Sequence, residues 1–129
     1  LIKNNYMEGL KGYRFGGALV VMNGVPNSSI NRYHQVEDSI IQNNSIINSD
    51  HIHFASGSDQ ERSAVPKNSE FKNNLIYQQN NKDPFKVFDD ISGIKFTNNL
   101  INKIYETKTK KIKFDLKNGL AQRKINGSN

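Results

Sequence analysis

Apolar residues in this chain come in short runs that alternate with polar ones, and nowhere do they keep a helical period over three turns. The runs include Ala18-Leu19-Val20-Val21-Met22, His51-Ile52-His53-Phe54, Lys86-Val87-Phe88 and Gly93-Ile94-Lys95-Phe96. A period of two residues predicts strands. One frame returns four times: Ile2-Lys3-Asn4-Asn5-Tyr6-Met7, Ile41-Gln42-Asn43-Asn44-Ser45-Ile46, Phe71-Lys72-Asn73-Asn74-Leu75-Ile76 and Phe96-Thr97-Asn98-Asn99-Leu100-Ile101. Its Asn pairs lie 39, 30 and 25 residues apart. A fixed motif with a minimum period of roughly 25 residues and longer intervals elsewhere is the pattern of a solenoid with loop insertions.

The fold expected from this pattern is all-β, a right-handed parallel β-helix with Asn-rich turns. Each coil must bend sharply between strands, and Asn tolerates the left-handed backbone that such a bend needs. Stacked coils set one amide above the next, where each can donate to one neighbour and accept from the other. Apolar residues flanking the pair would then form columns in a narrow core. The insertions, Gly9 to Gln35 and Ala55 to Pro66, should leave one edge of the stack and build a groove on its outside. Coils are expected over residues 1–102, followed by a basic strand or linker over 103–129.

Composition narrows the class further. Only 35% of the 129 residues are apolar, while charged residues are an ordinary 23%, so the deficit is filled by amides: nineteen are Asn. A disordered polyelectrolyte is therefore not indicated. No apolar run approaches the roughly 20 residues that span a bilayer, so no membrane partner is expected. With no Cys, disulfides and thiolate metal sites are excluded. The net charge of +6 resides wholly in residues 102–129, which carry eight basic and two acidic residues; the body before them is neutral. A basic tail on a neutral body does not predict nucleic-acid binding. The chain opens without Met, in the middle of a pattern, and is expected to be a piece of a longer protein.

Three groups carry candidate chemistry. His51 and His53, two apart on a strand, face one side and suit either a metal or an ordinary groove, but no third ligand has matching spacing. Asp89-Asp90 suits either acid/base work or, since Ile91-Ser92-Gly93 follows, a capping turn. The third group is spread over Gly12-Tyr13-Arg14-Phe15-Gly16-Gly17, Asn31-Arg32-Tyr33-His34-Gln35-Val36 and Gly57-Ser58-Asp59-Gln60-Glu61-Arg62. Arg forks grip carboxylates and Tyr packs on sugar faces, so these residues suit an anionic, ring-shaped ligand. The arginines are equally suited to pairing with Glu37, Asp59 or Glu61.

The stretches "GYRFGGALVVMNGVP", "NRYHQV" and "GSDQERSAVP", in that order and each leading to an Asn-Asn coil, resemble polysaccharide lyase family 6. That family includes alginate lyases and the chondroitinase B type. The resemblance runs from Leu1 to about Leu120 and is closer to the alginate lyases. It implies a β-helix that cleaves acidic polysaccharide, alginate in particular, by β-elimination outside the cytoplasm, secreted or periplasmic. In such a reaction a base removes the proton at C5, a group neutralises the adjacent carboxylate, and an acid serves the leaving oxygen. The family uses a Lys, Ca²⁺ held by Asn and Glu, and the Arg of an Arg-His-Gly. This sequence has no Arg-His-Gly and no Lys in the family's setting, so no catalytic or metal-binding residue is assigned. By position in the motifs, Arg14, Arg32, Tyr33, His34 and Arg62 resemble groove-lining side chains. Three other readings remain open: a non-catalytic module that binds acidic glycans, a lyase for chondroitin- or dermatan-type substrates, and a glycoside hydrolase using Asp89-Asp90.

Overall fold

The computed structural model describes residues 1–14, 16–79 and 83–101. The basic segment 103–129 lies outside the described residues. Strands are the regular elements among the described residues: β1 (Ile2–Lys3), β2 (Tyr6–Glu8), β3 (Gly17–Met22), β4 (Ile40–Gln42), β5 (Ser45–Ile47), β6 (His51–Ser56), β7 (Ser69–Lys72), β8 (Leu75–Tyr77), β9 (Phe85–Val87), β10 (Ile94–Thr97) and β11 (Leu100–Ile101). They form three wholly parallel sheets in which every third strand is a neighbour: β1-β4-β7-β10, β2-β5-β8-β11 and β3-β6-β9. One turn of the chain visits each sheet once. This is a parallel β-helix, as the repeat predicts.

Register follows the sequence repeat. Ile2 pairs with Ile41, Ile41 with Phe71, and Phe71 with Phe96, one column on the first sheet. Met7, Ile46, Ile76 and Ile101 form the facing column on the second. Alternation along Ser69–Lys72 sends Phe71 inward and leaves Glu70 and Lys72 half-buried. The core is a stack of Ile and Phe, with Phe54 edge-on to Phe71 at 5.4 Å and to Phe96 at 5.2 Å between ring centres.

The two Asn of each pair do different work. Asn4, Asn43, Asn73 and Asn98 take the left-handed backbone, with φ between 52° and 60°. Asn5, Asn44, Asn74 and Asn99 turn inward and form the amide ladder. Asn5 Nδ2 donates to Asn44 Oδ1 at 2.9 Å, Asn44 Nδ2 to Asn74 Oδ1 at 3.0 Å, and Asn74 Nδ2 to Asn99 Oδ1 at 3.1 Å. The second hydrogen of Asn44, Asn74 and Asn99 satisfies a carbonyl of a neighbouring coil (Ile2, Ile41 and Phe71 O), while that of Asn5 turns to Lys3 O of its own coil. Such pairing lets a polar side chain lie buried in the core.

The corners between the first two sheets are only the Asn pairs. The other two corners share the irregular spacing: residues 9–16, 48–50 and 78–84 before the third sheet, and 23–39, 57–68 and 88–93 after it. Because β3, β6 and β9 are parallel, the three connections after them leave from the same edge of that sheet. The insertion Gly9 to Gln35 does not leave one edge as expected: β3 divides it, so residues 9–16 enter the third sheet from the opposite edge and only 23–35 join the connections that follow it.

Candidate functional site

The outward face of the β3-β6-β9 sheet is the floor of the candidate site. Val20, His53 and Lys86 are in register across the three strands, while Ile52, Phe54 and Phe85 fill the core. Alternation puts His51 beside His53 on the same outward side, as its spacing predicts. The two histidines have different surroundings. His51 is half-buried, and its Nδ1 lies 2.6 Å from the Asp83 carbonyl. His53 is only 3% exposed and neither ring nitrogen has a hydrogen-bond partner. Its ring lies against Phe88, 5.1 Å between centres, and over Gly17. A Cβ at Gly17 would come within 3.2 Å of the imidazole and 2.6 Å of Val20 Cγ2, so the strand needs glycine there. Burial first, then the Lys86 and His51 charges, hold the His53 pKa below its ordinary value of 6.5.

The wall at the far edge is made by two of the insertions folding on each other. Gly24 and Ala64 form an antiparallel bridge, N–H to O at 2.8 and 2.9 Å in the two directions. Gly24 has no room for a side chain, because a Cβ would meet the Gln35 backbone at 2.7 Å. The loop then doubles back: Val25 N–H donates to Tyr33 O at 2.8 Å, and Gln35 Nε2 to Val65 O at 2.6 Å. This folding brings Tyr33 and Arg62, 29 residues apart in sequence, into contact. The Arg62 guanidinium carbon stands 5.1 Å from the centre of the Tyr33 ring, a cation–π arrangement. Arg62 Nη1 also donates to Asp59 Oδ2 at 2.8 Å. The Tyr33 side chain first, and the Asp59 charge second, raise the Arg62 pKa further.

Asp59 is committed to its own loop. Its Oδ1 accepts from the Arg62 backbone N–H at 2.6 Å and from that of Glu61 at 2.9 Å; the Arg62 N–H first, and the Glu61 N–H after it, hold its carboxyl below the ordinary value. His34 is similarly engaged, with Nδ1 3.2 Å from Ser28 O and Nε2 2.9 Å from Glu37 Oε1. The Glu37 contact, then the Ser28 carbonyl, raise its pKa. Glu37 also meets Lys67 Nζ at 3.0 Å, so its charge is answered by His34 and Lys67 and not by an arginine. Arg32 is exposed, and Arg14 is exposed before the start of β3, at the opposite edge of the sheet from Arg62. Neither Arg14 nor Arg32 forms an ion pair among the described residues. Phe15, part of the first motif, lies outside the described residues.

The Asp89-Asp90 pair is divided. Asp90 Oδ1 accepts from Ser92 N–H at 3.0 Å, an Asx turn of the kind its neighbours suggest. Asp89 ties the three post-strand connections together: its Oδ2 accepts from Ser58 Oγ at 2.6 Å and from Asn23 Nδ2 at 2.9 Å. The same Asn23 Nδ2 donates to Arg62 O at 3.1 Å. The Ser58 hydroxyl, then the Asp90 backbone N–H, hold the Asp89 carboxyl below its ordinary pKa. Sequence reading missed this node, since Asn23, Ser58 and Asp89 are distant in the chain. It also passed over Phe88, although the alternation Phe85 in, Lys86 out, Val87 in leaves Phe88 facing out.

Calcium does not fit the described residues. No three His, Asp or Glu side chains converge among them, and the Asp59 and Asp89 oxygens already accept from protein donors.

The chain matches the chondroitinase B family over residues 1–127. It is similar to the solved structure of the PL6 family alginate lyase AlyGC, with 59% identity and a TM-score of 0.75 over 83% of this chain and 15% of that one. An arginine-to-alanine variant of the same lyase gives 62% identity and a TM-score of 0.73 over 78% of this chain and 14% of that one. The chain thus spans about a seventh of the length of these relatives. No curated protein matches.

Proposed function

Given that the chain belongs to the chondroitinase B family, polysaccharide lyase family 6, we propose that it forms part of a lyase that cleaves alginate by β-elimination, and that it supplies the distal wall of the substrate groove. The observation that supports this reading most is the Arg62–Tyr33 pair at the edge of the β3-β6-β9 floor. A fork of N–H donors held over an aromatic ring offers a uronate both of its contacts, charge to the carboxylate and an apolar surface to the ring. Arg14 offers a second cation at the other edge. β3 separates the two edges by six residues, roughly 16–20 Å, so a polymer lying across the floor meets an arginine at each end, Arg14 without an ion pair among the described residues and Arg62 paired with Asp59.

These residues bind and orient. The proton at C5 is taken, and the 4-oxygen released, by groups this chain does not contain, so Arg62 and Arg14 contribute by fixing the polymer. Such an enzyme acts outside the cytoplasm, where its polymeric substrate is found.

The test is to treat polymannuronate and polyguluronate with the enzyme carrying this segment and follow ultraviolet absorbance. A lyase leaves an unsaturated uronate that absorbs, whereas a hydrolase leaves saturated ends. Binding of the polymer without any absorbing product would instead favour a non-catalytic glycan-binding module.

A further inference from the structure

Phe88 is 47% exposed on the outward face of the floor, yet it is held from three directions. Its N–H donates to Phe54 O at 3.1 Å, continuing the strand pairing past the end of β9. Its ring rests on the buried His53 imidazole at 5.1 Å, with 56° between planes. The next residue, Asp89, is bound to Ser58 and to Asn23, and Asn23 in turn holds the Arg62 carbonyl. The ring is therefore fixed relative to the loop that carries Arg62. Two residues back on the same face, Lys86 is exposed and forms no ion pair among the described residues.

His53 adds to the case. Burying an imidazole with both nitrogens unpartnered is unfavourable, and a sheet surface built only for stability would carry an aliphatic residue there. A flat ring under Phe88 sets the tilt of the ring above it in a way a branched aliphatic cannot. The upper surface of Phe88 stays open to solvent.

We infer that Phe88 and Lys86 form a separate subsite for one uronate ring, Phe88 stacking on the C–H face of the sugar and Lys86 meeting its carboxylate. The chemistry selects the occupant. A bare aromatic surface accepts any sugar ring, and a bare lysine any anion; a pinned ring with an unpaired ammonium beside it selects an acidic sugar. The inference rests on the acidic-glycan reading of the site, and adds residues that this reading did not include.

The experiment is calorimetric or NMR titration of the intact protein with a short oligouronate and with the same oligomer after its carboxyl groups are reduced to hydroxymethyl groups. Phe88→Ala should weaken binding of both ligands about five- to twentyfold, and Phe88→Trp should preserve it. Phe88→Leu keeps an apolar group on His53, guards against a collapsed floor, and should weaken binding nearly as much as Ala because the flat face is gone. Lys86→Ala should weaken only the charged oligomer. Unchanged affinity in the Ala and Leu variants, with the unsubstituted protein binding normally, overturns the subsite and leaves the Arg62–Tyr33 reading intact. Failure of the unsubstituted protein to bind either oligomer overturns both.

Discussion

Asn44 donates both its backbone N–H and its side-chain amide to one acceptor, Asn74 Oδ1, each at 3.0 Å. One oxygen of one coil thus satisfies two buried donors of the next. The preceding residue, Asn73, makes no such contact with its side chain; it supplies the left-handed turn, φ 54°, that points Asn74 inward.

The two should respond to substitution very differently. Asn74→Ala strands the Asn44 donors and the Ile41 carbonyl, and should lower stability by roughly 3–5 kcal/mol. Asn73→Ala loses only the tolerance for positive φ and should cost about 1 kcal/mol, while Asn73→Gly should be near neutral. Chemical denaturation of the three variants gives the ranking. A similar loss at both Ala positions would mean that the ladder contributes little beyond the turn.

Arg62→Ala and Arg14→Ala should each reduce kcat/KM on polyuronate by about ten- to a hundredfold, which is the loss of one charge-assisted contact worth about 1.5–3 kcal/mol. Lying at opposite edges of the floor, the two should act independently, so that the double variant shows the product of the single effects. Arg62→Lys should recover only part, since a point charge replaces a fork that also stacks on Tyr33. Lys72→Ala is the control: its partner Glu70, at 3.0 Å, forms a solvent-facing pair, and removing it should change little. Full activity in both Arg→Ala variants would show these arginines to be structural.

His53 predicts a specific dependence of stability on pH. Its folded pKa is depressed, by burial first and by Lys86 and His51 after it, with Asp50 opposing. The unfolded chain, titrating near 6.5, therefore binds the proton more readily than the folded one. The contribution is complete above 6.5 and is lost as pH falls below it. His34 has the opposite sign: its raised pKa gives a contribution present below 6.5 and lost as pH rises through the folded value. Comparison isolates the His53 contribution: between about pH 5 and 8, the denaturation midpoint of His53→Leu should fall less toward acid than that of the unsubstituted protein. An unchanged slope in the Leu variant would place the acid sensitivity elsewhere.

When the 129-residue chain stands alone, its first coil presents apolar side chains to solvent. Leu1 is 73% exposed and Tyr6 69%, and an apolar cavity of 220 Å³ opens beside Leu1 and Ile2, reaching Phe54 and Phe71. Unpaired strand edges next to such a surface promote association. Light scattering of the isolated 129-residue chain should show association that grows with concentration and is reduced by Leu1→Lys with Tyr6→Lys. A monomer at all concentrations would mean that this surface is covered in solution.

Much of the architecture could be read from residue order because a β-helix repeats local rules. The apolar-x-Asn-Asn-x-apolar frame contains both the bend and the inward column, so strand type, coil count and the Asn ladder follow from interactions within one coil and its neighbour. The division of labour inside each Asn pair was not legible, since either residue can adopt positive φ; only stacking decides which side chain faces the core. The site was less accessible still. Arg14 and Arg62 look alike in sequence, each in a Gly-containing insertion, yet they stand at opposite edges of one sheet because one precedes a strand and the other follows one. Whether Arg62 meets Tyr33, whether Asp89 is a base or a tie, and whether Phe88 is buried or open depend on how insertions from three successive coils pack at a common edge. Those contacts join residues about 30 to 66 positions apart, and no local propensity encodes them.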